Sequence, residues 1–571
     1  MAYHITAARL LGYMTHLALE SQLSVMSLTP LFGTPYIDLY RPLIIPTLFA
    51  IALFGFLRQR KISKVSRWLQ VVAVAYSSIS ILVARQVGYL IGENLGPWYG
   101  ALAVETIAFY PILIGTASVM ANGFHVSNSK ATVNSGARLI LISLAASLLF
   151  TIIERHVMGK LLGPIVFLMY STAWSAMEKI QITNFASTLA IAMLSPARMM
   201  IIPIIIAVTA IQFPSYSSLS LLASKDMIAS TVSVSGYLSV VSIPSKSLMI
   251  LRNDHSLLGG EFLSSRTPIV NQLLPDPGWF PEPIFGAFAM QESLRLIIPP
   301  PVGKDNENNV LIIGLGIGTA ANAMIRHNIS TDVVELDPEV VRFAVEHFQL
   351  PIHRSRVVVC DARTFIHSLA RSLTVSPQQA LEDGMREYDY IIHDIFTGGV
   401  MAPKLFTSEM WQDTRNIMAP DGVLVVNFGG DLESSMSRAM IRTLVHGFRQ
   451  AGGNCRAFRE FPKPKNWASG EKDFANVVVF CHKDRGLIRF RVPVEQDYLK
   501  SLVRHQSLVV KNEIELPLYL RDREETPDKR NEPRIIDDSN VHRFRKQAAE
   551  GAAEHWELMN EILDWSVWAN W

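Results

Sequence analysis

The residues whose types and spacing could do chemistry lie in the second half of the chain, at the ends of apolar runs. Asn308 to Gly318 reads NNVLIIGLGIG, an apolar strand running into a glycine-rich turn. Gly314, Gly316 and Gly318 let the backbone turn tightly and approach a ligand. A second strand, Asp332 to Leu336, carries Glu335 at its end, 17 residues after the last glycine. An acidic side chain there can accept both hydroxyls of a ribose. Arg356 to Cys360 is a third strand, ending in Asp361-Ala362, where an acid can accept an adenine amino group. Tyr388 to His393 is a fourth, ending in Asp394 at the mouth of the site. Pro420-Asp421-Gly422 then precedes strand Val423 to Asn427.

Helical stretches separate these strands, so the segment reads as a doubly wound parallel sheet with its ligand beyond the strands' carboxyl ends. The glycines and Glu335 alone fit a nicotinamide cofactor equally well. Asp361, Asp394 and the Pro-Asp-Gly turn favour a Rossmann-like fold for S-adenosylmethionine. Asp361 also suits a helix N-cap, and Asp337, followed by Pro338, suits that role better than ligand binding. His393 points to the opposite face of its strand from Asp394 and reads as packed against a helix. No metal-ligand cluster is visible, and no metal is expected.

Ahead of this core, Ser230 to Arg252 alternates apolar and polar residues around a turn at Ile243-Pro244-Ser245-Lys246, as half-buried strands do. A helical run, Phe288 to Ile298, follows and ends at Pro299-Pro300-Pro301. The strands Gly452 to Phe461 and Asn476 to His482 close the core. Arg521 to Asn540 is dense in charge and reads as flexible, and Val541 to Trp571 reads as a terminal helix docking on the core.

The first half differs in kind. The chain has 571 residues, of which 18 % are charged, and the shortage of charge is concentrated before about residue 215. Apolar segments at 8–29, 42–57, 69–91, 98–121, 138–154, 161–178 and 185–212 qualify as membrane-spanning helices or come close. The loop with Arg58, Arg60, Lys61, Lys64 and Arg67 then faces the cytosol. Six crossings place the transferase half there too, whereas a seventh puts it on the far side. Arg85 and Glu105, on neighbouring segments, are expected to pair. Cys360, Cys455 and Cys481 fit neither a zinc site nor a disulfide framework and suit a reducing compartment. The net charge of +2, without a basic stripe, gives no sign of a nucleic-acid partner. The expected layout is a multi-pass α-helical transmembrane domain at 1–215 and a β-hairpin lead-in at 224–300. A Rossmann-like transferase core at 305–485 and an extension at 486–571 complete it.

The motifs VLIIGLGIG, VVELDPEVV, VVVCDA, YDYIIHDIF and APDGVLVVNF together resemble the spermidine synthase family and its methyltransferase-like relatives. The resemblance implies a small β domain on a Rossmann core, a dimer, and aminopropyl transfer from decarboxylated S-adenosylmethionine to a diamine. It also implies cofactor contacts from Gly314, Gly316, Gly318, Glu335, Asp361, Ala362 and Gln291, with Asp394 as catalytic aspartate. The departures fall where a polyamine would bind. Ile317 replaces an aspartate of the family's glycine loop, Thr397 a second aspartate, and Met290 a tyrosine. A buried ammonium without carboxylate partners costs several kcal/mol, so a weakly charged or lipophilic small-molecule acceptor, and methyl transfer, fit better. Aminopropyl transfer, a nucleoside-binding scaffold and a regulated transporter remain the alternatives. The expected partners are the lipid bilayer and that acceptor.

Overall fold

The computed structural model describes residues 2–59, 64–127, 136–158, 176–194, 226–263, 282–300, 305–396, 401–463, 472–484, 486–521 and 533–569. The chain divides into two compact units, residues 1–237 with 556–571, and residues 238–555.

The first unit is built of helices, with strand β1 (Met227–Ser233) at its end. Met14, Leu17, Phe49, Leu53, Ile112 and Phe150 form an apolar core between the helices Ala2–Phe32, Arg41–Leu57, Tyr110–Ser127 and Gly136–Ile152. Among the described residues, one helix, Ala137–His156, is long and apolar enough to cross a membrane. The pair Val71–Ser77 and Ser80–Ala108 passes the same test together but is bent by 68°. Most of the expected span 161–178, and 185–212 beyond residue 194, lie outside the described residues.

Glu105 does not take the expected partner. Arg41 bonds it through Nε at 2.6 Å and reaches Glu154 through Nη1 at 3.0 Å, while the Tyr36 hydroxyl donates to Glu105 at 2.7 Å. All four side chains are buried, so one guanidinium serves two carboxylates where hydration is lost, with the tyrosine hydroxyl adding a neutral donor. Tertiary packing rather than neighbourhood in sequence sets this pairing. The terminal tryptophans are a second departure. Trp556 Nε1 donates to the Leu31 carbonyl at 2.8 Å and Trp565 Nε1 to that of Tyr89 at 3.0 Å. Residues 556–568 thus belong with the N-terminal helices, whereas the stretch before them packs on the core of the second unit through Phe544, Ala548 and His555, as expected.

The second unit begins with an antiparallel lead-in: β2 (Gly236–Ile243), β3 (Leu248–Asn253), β4 (Ser256–Phe262) and β5 (Glu282–Pro283). The turn between β2 and β3 falls at Pro244–Lys246, as expected. The stretch after β5 is a short helix, Gly286–Met290, and a 3-10 helix, Gln291–Leu296, rather than one continuous helix. It leads to β6 (Ile297–Ile298). Then come β7 (Asn309–Ile313), β8 (Ser330–Glu335), β9 (Ser355–Val359), β10 (Tyr388–His393), β11 (Met418–Asp431), β12 (Asn454–Arg459), β13 (Phe474–His482), β14 (Arg489–Phe490) and β15 (Glu513–Ile514).

The large sheet has the order β15-β12-β13-β11-β10-β7-β8-β9. From β9 to β11 the strands are parallel, and β13, β12 and β15 are antiparallel to their neighbours. The sheet is thus mixed rather than wholly parallel, with β13 running against both β11 and β12. Helices such as Ala362–Val375, Ser408–Asn416 and Ser435–Arg449 bury Ile366, Trp411 and Leu444 against it.

Two further expectations are overturned here. Antiparallel register sets Cys455 opposite Cys481, and the two form a disulfide. Their separation of 26 residues carries no sign of this. Only strand pairing brings them together. Within the charged stretch, Ile536 is fully buried and its N–H donates to Thr443 Oγ1 at 2.8 Å, so that part packs rather than staying loose.

Candidate active site

Chain order runs β7, β8, β9 in one direction from the middle of the sheet and then jumps to β10 on the other side of β7. Helices following the two strands leave on opposite faces, which opens a crevice at their carboxyl ends. Gly314 follows β7 at that point and Asp394 follows β10. At Gly314 the backbone has φ +88°, and a Cβ there would lie 2.2 Å from the Asp394 carbonyl oxygen. At Gly316, φ is +55° and a Cβ would lie 2.5 Å from the Leu258 carbonyl oxygen of β4. Side chains are excluded at both positions, so the loop lies close between β10 and the lead-in sheet. Gly318 is the left-handed residue that opens the helix Thr319–Arg326.

Glu335, at the end of β8, shapes this loop. Its Oε2 accepts the Leu315 N–H at 2.8 Å and its Oε1 the Asp337 N–H at 2.9 Å. Burial pushes its pKa up and these backbone bonds oppose the rise. Each carboxylate oxygen keeps a second lone pair for a ribose hydroxyl. Asp337 caps the helix Pro338–Phe348, as read from the sequence. Asp361 caps Ala362–Val375, accepting the Thr364 N–H and hydroxyl on Oδ1, each at 2.8 Å. Its exposed carboxylate still offers Oδ2 toward an adenine amino group, beside the buried Ala362. If Glu335 holds the ribose, Glu335→Ala removes those bonds and frees two loop N–H groups. We expect S-adenosylmethionine to bind roughly 30-fold more weakly, about 2 kcal/mol. Calorimetry on the full chain checks this, and a Kd within threefold of wild type would contradict the assignment.

Asp394 is held by two amides. Gln291 Nε2 donates to its Oδ2 and Asn427 Nδ2 to its Oδ1, each at 2.9 Å. A carboxylate only accepts, so both amides must turn their nitrogens toward it. Their carbonyls, Gln291 Oε1 and Asn427 Oδ1, are buried with no hydrogen-bond partner among the described residues. The two amide oxygens beside Asp394 thus keep acceptor capacity that the described residues do not fill. Burial raises the Asp394 pKa against the two amide bonds, which strengthens it as a base. Gln291, expected on the cofactor, also bonds Asp394. Its position is secured through Glu460, which accepts Gly286 N–H on Oε1 at 2.5 Å and Asn476 Nδ2 on Oε2 at 2.7 Å.

Met290 is buried in the helix just before Gln291. Ile317 is buried, and a Cβ on Gly259 of β4 would lie 3.1 Å from it. An apolar contact thus occupies the place where the resemblance implies an aspartate. Thr397 lies outside the described residues. His393 is fully buried and packs edge-on to Phe406 and against Trp411, with ring centroids 5.3 Å apart in both cases. Burial pushes its pKa down to about 4, leaving it neutral. Asn427 was missed as a functional residue. The available signal was its place at the end of the VLVVN run, where β11 leaves the sheet interior.

Residues 294–455 match the family described as spermine/spermidine synthase domain. The chain is 35 % identical over 351 residues to an N-terminal histidine N-methyltransferase of Emericella nidulans, covering 60 % of this chain and 58 % of that protein. It is 34 % identical over 137 residues to a polyamine aminopropyltransferase of Vibrio vulnificus, covering 24 % of this chain and 42 % of the relative. It therefore spans about half the length of these curated relatives. A probable spermidine synthase from Corynebacterium glutamicum superposes with a TM-score of 0.34 at 14 % identity, over 53 % of this chain and 97 % of that one. Residues 294–455 are thus a spermidine synthase-type domain with methyltransferase relatives among its matches.

Proposed function

We propose that the chain is an S-adenosylmethionine-dependent N-methyltransferase whose acceptor is a weakly basic nitrogen of a peptide's N-terminal histidine. The observation that carries the reading is the Asp394 carboxylate clamped by Gln291 and Asn427 beside the glycine loop and Glu335. The histidine enters from the name of the Emericella nidulans relative. It suits a site in which Ile317 stands where a polyamine enzyme carries an aspartate.

When bound, S-adenosylmethionine supplies a sulfonium-activated methyl group, which passes in line to the nucleophile as the carbon–sulfur bond breaks and sulfur keeps the electron pair. Glu335 and the glycine loop would hold the nucleoside, and Asp361 would take the adenine edge. Asp394 would accept a hydrogen bond from the acceptor nitrogen, orient its lone pair, and take the proton released as the new bond forms. The unpartnered carbonyls of Gln291 and Asn427 would accept its remaining N–H groups. Ile317 brings no negative charge against the carboxylate of an intact methionine moiety, which favours S-adenosylmethionine over its decarboxylated form. The helical first unit would attach the enzyme to a membrane.

The test incubates the full chain with S-adenosylmethionine and a peptide beginning with histidine, beside the same peptide beginning with alanine. A parallel reaction uses decarboxylated S-adenosylmethionine and a diamine. A single methyl on the first residue of the histidine peptide alone, read by tandem mass spectrometry, is expected. Aminopropyl transfer to the diamine, or no transfer to the histidine peptide, would overturn the reading.

A further inference from the structure

His555 lies on the helix Arg545–Ile562, well beyond the matched domain. It is 4 % exposed, and its Nδ1 has no hydrogen-bond partner among the described residues. Burial pushes its pKa down to about 3, so the ring is neutral and offers both a donor and an acceptor nitrogen. A buried polar atom left without a partner is costly and uncommon in folded proteins.

The surroundings connect this ring to the candidate active site. His555 packs against Phe396 with ring centroids 4.9 Å apart, and against Phe474 at 6.0 Å. Phe396 is the second residue after Asp394, and its ring lies over Gly429, where a Cβ would come within 3.4 Å of it. Asn427, which bonds Asp394, and Gly429 share one face of β11, since alternate residues of a strand point the same way. Their spacing along the strand is about 7 Å. Across the ladder, Gly429 pairs with Asn476 and Asp431 with Phe474. One strand face thus runs from the Asp394 clamp, past a glycine on which the Phe396 ring rests, to a wall of two phenylalanines and an imidazole.

We propose that Phe396, Phe474 and His555 form the acceptor subsite, which takes a planar N–H-bearing ring of the imidazole type. Phe396 supplies the flat apolar surface and His555 Nδ1 the hydrogen bond that selects a heteroaromatic ring over a plain aliphatic side chain. A ring held there sits on the strand face that leads to Asp394, where its reactive nitrogen would meet the base. The inference rests on the methyltransferase reading for its site and adds the specificity element, contributed by residues outside the matched domain.

The test titrates L-histidinamide, with L-leucinamide as control, into the full chain loaded with S-adenosylhomocysteine, so that binding is read without turnover. His555→Phe keeps volume but loses the hydrogen bond, and is expected to weaken histidinamide binding about 10-fold with Tm unchanged. KM for the histidine peptide should rise in step while kcat holds, and His555→Gln should recover part of the loss. Histidinamide binding that depends on His555, without any methyl transfer, would retain the subsite and sink the functional reading. Methyl transfer with KM and Kd unchanged in His555→Phe would do the reverse. No histidinamide binding by wild type, or equal binding of leucinamide, overturns the subsite.

Discussion

Asp394→Asn is expected to lower kcat for the histidine peptide by about 10³-fold, in the range of a lost general base. The replacement is nearly isosteric, and its carbonyl can still accept one of the two amides that now hold the carboxylate. S-adenosylmethionine affinity should stay within about threefold of wild type, because the residues assigned to the nucleoside are Glu335, Asp361 and the glycine loop. A fall in kcat with an intact Kd would separate the base from a binding residue. Unchanged kcat would remove Asp394 from the mechanism.

The pH dependence has a definite sign. Only the carboxylate can take a proton, so activity is lost as pH falls through the Asp394 pKa. Burial has raised that pKa, which moves the acid limb upward from the usual aspartate range. Stability runs the other way. A carboxyl whose folded pKa is raised favours the folded state most below its unfolded pKa, and that contribution disappears as pH rises through the folded value. Asp394→Asn should therefore gain stability relative to wild type as pH increases. Thermal melts of both chains across the range read this directly.

Removing the disulfide should produce the second large effect. Cys455 and Cys481 join two adjacent strands of the sheet and are both buried. For a loop of 26 residues, chain entropy in the unfolded state corresponds to about 3.5 kcal/mol. The double variant Cys455→Ser, Cys481→Ser, like the reduced wild type, is expected to unfold at markedly lower denaturant concentration. Equal midpoints for oxidised and reduced chains would contradict this. Alkylation of the unfolded but unreduced chain should label only Cys360, the remaining free thiol. Disulfides persist in oxidising compartments, so labelling of all three cysteines in material taken from cells would restore the reducing environment expected from spacing alone.

Much of the site was legible because its chemistry is tied to strand ends. Apolar runs followed by Gly314, Glu335, Asp361 and Asp394 place each of these residues at the carboxyl edge of a parallel sheet, whatever the helices between them do. Asp337 and Asp361 as helix caps, and His393 as a packed ring, followed from local rules of capping and alternation. The mixed end of the sheet was less legible. A strand's pattern of apolar residues does not say whether its neighbour runs with it or against it, and the pairing of β13 between β11 and β12 decided the matter.

The sequence by itself determined the alternation of strands and helices in the core, the glycine turn, and the acids at its rim. Those depend on periodicity and on residues a few positions apart, where backbone geometry leaves few alternatives. Tertiary structure alone decided which distant groups meet: Gln291 and Asn427 on Asp394, Arg41 rather than Arg85 on Glu105, Cys455 against Cys481, and His555 beside Phe396. Each of these contacts joins segments whose spacing along the chain says nothing of their distance in space. Each also satisfies or links groups that burial has taken out of water, a requirement that arises only when the elements pack.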